Sequence, residues 1–262
     1  MTFKTSLRET FFRIWYWYVN KADKNAQILF MNFGYHDPSQ PIAMDDKSER
    51  DRYSIQLYHQ LADAIDMQGK DIVEIGCGRG GGLSYIAKNF LPATALGIDL
   101  NKQAVRFCSR HYSKNGLSFI RGDAQKLDLA DDSCDIVINV ESSHRYPNMT
   151  AFLKEVFRIL RPGGFFLFTD FRYDSEMDEM KKDLNGSRFT VVKEKNINRE
   201  VTAALELDDS RRRNLISTLA PRFLHNIALN FAGAKDSDTY NNFASNKYVY
   251  FSYVFTSGQI NF

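Results

Sequence analysis

Long apolar runs are missing from this chain of 262 residues. A membrane-spanning helix needs roughly 20 consecutive apolar residues. The nearest stretch, Phe11 to Val19 (FFRIWYWYV), falls well short and is broken by Arg13. NKADKN follows it, not the small residues of a cleavage site, so it reads as neither an anchor nor a signal peptide. Cysteine is scarce. Cys77, Cys108 and Cys134 form an odd set without Cys-x-x-Cys spacing, which argues against a disulfide framework or a metal site and points to a reduced, cytoplasmic setting. Neither sign of charge dominates. With 34 Lys plus Arg against 32 Asp plus Glu, the net charge is +2, so there is no basic field to hold nucleic acid. Proline is rare, at 6 residues, and no Pro/Gly/Ser linker, repeat or low-complexity stretch interrupts the chain. One domain with elaborations is expected.

What the sequence has in excess is aromatic residues, 14% of the total, with 21 Phe and 13 Tyr. Such a number packs a core and also suits a wide apolar pocket for a small-molecule or lipid-like acceptor.

Residues 1–66 read as a helical lid or cap segment, except for a strand-like patch at Phe30–Tyr35. Leu7, Phe11, Ile14, Trp15 and Tyr18 recur at helical spacing and give one broad apolar face. Two readings stand for it: a helix packed on the core, or one lying on a membrane surface or over an apolar substrate. Residues 67–262 read as the core. Between 70 and 171, short apolar runs alternate with helical stretches: Ile72–Ile75, then Leu83–Phe90; Ala95–Asp99, then Lys102–His111; Leu117–Ile120; Cys134–Val140, then Thr150–Leu160; and Phe165–Phe171. That rhythm predicts βαβ units, hence an α/β, doubly wound, mostly parallel sheet. Pro162-Gly163-Gly164 is expected to stop a helix and start a strand. A helical insertion over about 173–232 is expected to cap the sheet's ligand edge, with a strand-like stretch at Phe189–Val192. Tyr248–Phe255 supplies a last strand.

The segment Asp71–Gly82 reads DIVEIGCGRGGG. A strand runs into glycines and then a helix, which lets a ligand approach the backbone closely. Gly76, Gly78 and Gly81 also satisfy GxGxxG, the dinucleotide fingerprint. Glu74 separates the two cofactors. A pyrophosphate on the helix N-terminus would be repelled by a carboxylate two residues before the turn. A cationic amino group, such as that of S-adenosylmethionine, would be attracted by roughly a few kcal/mol. Asp99 ends the second strand, where a carboxylate can accept from ribose hydroxyls. Asp123 follows the third, where it can take an adenine amino group.

This order of glycine turn, Asp99, Asp123 and Arg161-Pro162-Gly163-Gly164 resembles that of class I methyltransferases. The stretches GIDLNKQAVRFC and INVESSHRYP, with INREVTAALELDDSRRRNLI and LNFAG downstream, narrow the resemblance. They are similar to lipid and small-molecule O-methyltransferases of the phthiotriolone/phenolphthiotriolone dimycocerosates methyltransferase group, over about Phe30 to Phe255. The resemblance implies a seven-stranded sheet, S-adenosyl-L-methionine as cofactor, S-adenosyl-L-homocysteine as product, and methyl transfer to a hydroxyl of a polyketide, lipid or related compound. It also implies cofactor contacts from Glu74, Gly76, Cys77, Gly78 and Gly80, from Leu100 beside Asp99, from Ala124 beside Asp123, and from Asn139 and Val140. Tyr35, after Gly34, would close over the cofactor's methionine end.

Residues just after the fourth strand face the transferred methyl. An alcohol needs a positioned base. His144 is the expected base, and Glu141 is its competitor or a holder of His144 or of the cofactor. His36, His59, His111 and His225 read as structural. Rival functions are carbon methylation of a sterol-like or quinone-like lipid, cofactor binding without turnover, and an NAD-dependent oxidoreductase, which Glu74 disfavours.

Overall fold

The computed structural model describes residues 23, 26–112 and 116–258. The apolar face at residues 7–18 lies outside them. Seven strands form one sheet: β1 (Asp71–Ile75), β2 (Thr94–Asp99), β3 (Leu117–Arg121), β4 (Cys134–Val140), β5 (Leu160–Tyr173), β6 (Thr190–Asn196) and β7 (Tyr248–Thr256). Their spatial order is β3-β2-β1-β4-β5-β7-β6. The pairings of β1 through β5 are parallel, and β7 runs antiparallel between β5 and β6.

Strand position follows from composition. β4 (CDIVINV) is almost continuously buried, as a strand covered on both faces must be. β3 and β6 are largely exposed and form the two edges. Alternation then sorts the core into two layers. Ile72, Ile136, Ile138 and Leu167 face one side. There they meet helices α2 (Arg52–Ala62) and α3 (Gly81–Asn89) through Leu57, Leu61, Leu83 and Ile86. Val73, Val137, Phe166 and Phe168 face the other and pack on Phe152, Val156 and Met180.

Several boundaries differ from those expected. Residues 26–44 carry no regular structure, and among the described residues the helices of the N-terminal region are Asp46–Glu49 and α2. The helices between β6 and β7 run from 198 to 244, later than 173–232, because Met177–Asn185 leads into β6 as an ordinary sheet-covering helix. Pro162-Gly163-Gly164 lies within β5. The strand pairs with β4 at Leu160, bulges, and pairs again from Phe165.

Candidate active site

The carboxyl ends of β1, β2, β4 and β5 converge beneath a strap of irregular chain, residues 29–36. After β1, Gly76 turns with φ +78° and lies so close to the loop after β4 that a Cβ would stand 2.3 Å from Ser142 Oγ. Gly80 is likewise packed, against Phe119 and Tyr112. Gly78 differs: its φ is +53°, and among the described residues nothing lies within 4 Å of where a Cβ would stand. It is the open position of the turn. Asp99 is locked beside it, accepting from Gly78 N at 2.9 Å and from Asn101 N at 2.7 Å. Leu100, 62% exposed, and the half-exposed Ile120 offer apolar surface next to that carboxylate. An open glycine cradle, a fixed acid and an apolar shelf fit an adenosine bearing no phosphate. Asp123 is exposed at the rim, its carboxylate accepting from Gln125 N, with Ala124 buried behind it.

Other predicted contacts are not available to a ligand through their side chains. Glu74 is fully buried and accepts from the Tyr58 hydroxyl at 2.7 Å; burial pushes its carboxyl up to about 7. Its Oε2 is buried with no hydrogen-bond partner among the described residues. Cys77 and Val140 are buried in the core. Asn139 is also buried: its Nδ2 donates to Ile75 O at 2.9 Å and Ser142 Oγ at 2.8 Å, pinning the end of β1 to the loop after β4. Tyr35 is placed elsewhere. Its ring packs in the core, and its hydroxyl meets Lys195 Nζ at 3.2 Å on β6. β6 stands four strands from β1, roughly 19 Å at normal strand spacing, so Tyr35 does not close over the glycine turn.

Beyond β4 the chain makes the short helical turn Ser143–Arg145. His144 Nδ1 lies 2.7 Å from Asp170 Oδ1, on the neighbouring strand β5. Asp170 is fully buried and also accepts from Ser143 Oγ at 2.6 Å and His144 N at 3.0 Å, with Arg172 Nη1 at 3.3 Å. The charges of His144 and Arg172 and these hydrogen bonds override burial and hold its carboxyl well below the usual range. Burial lowers the His144 pKa, against the pull of Asp170. The pair at neutral pH is therefore a neutral imidazole donating Nδ1–H to a carboxylate, a tautomer set by the partner. Nε2 is left as an acceptor.

Glu141 does not hold His144; its bonds go to the strap and to β7. Its φ is +45°, a left-handed backbone costing roughly 1–2 kcal/mol for a residue with a Cβ. Oε1 accepts from Phe33 N at 2.7 Å and from the Tyr250 hydroxyl. Burial pushes its carboxyl up to about 8, so the protonated form predominates at neutral pH. It fastens the strap to the sheet.

His144, Arg145 and Glu141 line one end of a cavity of about 660 Å³, a size within the roughly 300–1,000 Å³ of small-ligand pockets. Its far end is apolar: Ile28 from the strap side, Leu215, Ile216 and Leu219 of α8 (Asp209–Leu219), and Ile227 and Phe231 of the helix His225–Phe231. Ile227 is 43% exposed, which marks the mouth. Asp170 was missed in the sequence, although an acid in the buried run FFLFTDF was a visible anomaly. Among the described residues no metal-binding cluster of His, Cys, Asp or Glu occurs, and no helix is long and apolar enough to cross a membrane.

The sheet order, the glycine turn after β1 and the acid after β2 together define the class I methyltransferase arrangement. The family described as "Methyltransferase domain" matches residues 73–168. A fatty-acid O-methyltransferase of Mycolicibacterium smegmatis is 42% identical over 210 residues, covering 80% of this chain and 77% of the relative. A phthiotriol/phenolphthiotriol dimycocerosates methyltransferase of Mycobacterium tuberculosis is 35% identical over 251 residues, covering 94% and 93%. Among solved structures, the geranyl diphosphate C-methyltransferase of Streptomyces coelicolor shares the fold at a TM-score of 0.65 and 13% identity, covering 90% of this chain and 91% of that one. The [4+2]-cyclase SpnF does so at 0.66 and 15%, covering 91% and 90%. This chain belongs to the S-adenosylmethionine-dependent methyltransferase family of those two mycobacterial enzymes.

Proposed function

We propose that the protein transfers a methyl group from S-adenosylmethionine to an oxygen of a lipid-like acceptor whose apolar chain occupies the cavity. The observation that carries this reading is the His144–Asp170 pair at the wall of a cavity that is apolar at its far end. When bound, the cofactor supplies a methyl on a positively charged sulfur, a strong electrophile. The protein's tasks are then alignment and deprotonation.

Asp99 holds the ribose hydroxyls, with Gly78 permitting close approach, and Leu100 and Ile120 cover the base. His144 Nε2 takes the proton from the acceptor oxygen. Asp170 keeps Nδ1–H in place and stabilises the imidazolium that results. Arg172 and Ser143 hold Asp170 in turn. Leu215, Leu219 and Phe231 shed water from around the acceptor chain. Oxygen is favoured over carbon as the nucleophile because an imidazole base in a dyad suits an O–H proton. The named chemistry of the Mycolicibacterium smegmatis relative, a fatty-acid O-methyltransferase, supports the same choice. The fold alone would not, since it also serves a C-methyltransferase and a cyclase.

The test uses methyl-labelled S-adenosylmethionine with long-chain hydroxy and carboxylic acids, read by mass spectrometry. Label on oxygen is expected, falling on the order of 10²–10⁴-fold with His144→Ala for hydroxyl acceptors but not for carboxylates, which are already ionised. Label on carbon, or none with any acceptor while S-adenosylhomocysteine still raises the melting temperature, would defeat the reading. That ligand stabilises the fold by about 2.7 kcal/mol at one hundred times its Kd.

A further inference from the structure

Glu74, the acceptor the sequence offered for the cofactor's positively charged amino group, is fully buried in β1 and does not line the cavity, although its Oε2 lacks a hydrogen-bond partner among the described residues. Asn32, in the strap, has the properties required. It is 7% exposed and forms part of the cavity wall. Its Nδ2 donates to Ser54 O at 3.2 Å, which fixes which way the amide points. Its Oδ1 is buried without a hydrogen-bond partner. A buried carbonyl left bare costs roughly 1–3 kcal/mol, so such groups commonly mark a ligand.

The strap's course decides which part of which ligand. Leu29 O sits where a Cβ on Gly81 would come within 2.6 Å, so the strap begins against the glycine turn after β1. Phe33 N reaches Glu141 after β4. β1 and β4 are neighbours, and Asn32 therefore lies over the seam between their ends. Asp99, which ends β2 on the other side of β1, takes the ribose. The amino-acid end of the same molecule then extends toward β4, under the strap.

Resting on the cofactor reading above, we propose that Asn32 accepts a hydrogen bond through Oδ1 from the α-ammonium of S-adenosylmethionine. An ammonium donates and cannot accept, which matches a lone carbonyl oxygen. The fold thereby binds the cofactor's amino-acid end with a residue of the strap, and the strap in turn walls the acceptor cavity.

Calorimetry tests this with three probes on the full chain: S-adenosylhomocysteine, its analogue lacking the α-amino group, and 5′-methylthioadenosine, which lacks the amino-acid end. In the wild type, removing the amino group should weaken binding about tenfold or more. In Asn32→Ala, S-adenosylhomocysteine should weaken by a similar factor. The deaminated analogue and 5′-methylthioadenosine should bind the variant as they bind the wild type. Equal weakening of all three probes would show that Asn32 only supports the strap and would overturn the proposal. So would an unchanged affinity for S-adenosylhomocysteine. If the variant fails to fold, the wild-type comparison decides alone: no loss on removing the amino group refutes it. A wild type that binds none of the three refutes the cofactor reading itself.

Discussion

His144, in the turn after β4, and Asp170, on the neighbouring strand β5, meet with Nδ1 and Oδ1 2.7 Å apart, although 26 residues separate them. Asp170→Asn keeps the size of the side chain and removes the charge that holds the imidazole. The kcat for methyl transfer should fall on the order of 10²–10⁴-fold, with the Kd for S-adenosylhomocysteine unchanged. The wild-type rate should rise with pH through the His144 pKa, below the ordinary 6.5 because burial disfavours the imidazolium. Without Asp170 the ring is still harder to protonate, and that limb should move to lower pH. A variant with wild-type kcat and an unmoved limb would remove the pair from the chemistry.

Glu141 should set part of the stability profile. Its carboxyl ionises at about 8 in the fold, raised chiefly by burial from an ordinary 4.5. A group harder to ionise when folded contributes fully below the unfolded pKa, and that contribution is lost as pH rises through the folded one. Urea denaturation should show stability falling between pH 5 and 9, by on the order of a few kcal/mol. Glu141→Gln retains an acceptor for Phe33 N and should flatten the profile. An equally steep Gln profile would assign the titration to another buried acid, Glu74 first.

Two glycines of one turn should respond differently to a methyl group. Gly76→Ala would drive Cβ into Ser142 Oγ at a left-handed φ of +78° and should destabilise the fold by about 1–3 kcal/mol for the clash, on top of roughly 1–2 kcal/mol for the backbone. Gly78→Ala meets nothing among the described residues and should cost only the roughly 1–2 kcal/mol of its left-handed backbone, yet weaken S-adenosylhomocysteine more than Gly76→Ala does. Denaturation and calorimetry on the two variants would separate these effects; the reverse ranking for ligand binding would move the cofactor away from Gly78.

The apolar end of the cavity should limit acceptor length. Leu219→Trp adds bulk to the wall away from His144. KM should rise for long-chain acceptors and stay level for short ones. A uniform rise across lengths would mean that the chain does not run between α8 and the strap.

Much of this molecule was legible in its sequence, for a local reason. Strands such as Cys134–Val140 and helices such as Lys102–His111 follow from apolar periodicity and flanking turns, and the structure has both at those bounds. The glycine turn and Asp99 were legible too, because strand, turn and helix are contiguous there and the turn's backbone dictates its residues. Asp170 and Asn32 belong to another kind. Nothing within ten residues of either reveals a partner. Asp170 becomes a histidine's carboxylate only because β5 lies beside β4, and Asn32 joins the site only because an irregular strap crosses the seam of β1 and β4. Tyr35 shows the same limit from the other side: three positions beyond Asn32 along that strap, it turns to Lys195 on β6. Sequence spacing fixes which face of an element a residue occupies. Which elements share an edge is set by burial summed over the whole sheet, and in this protein that sum decided which carboxylate meets His144 and what walls the cavity.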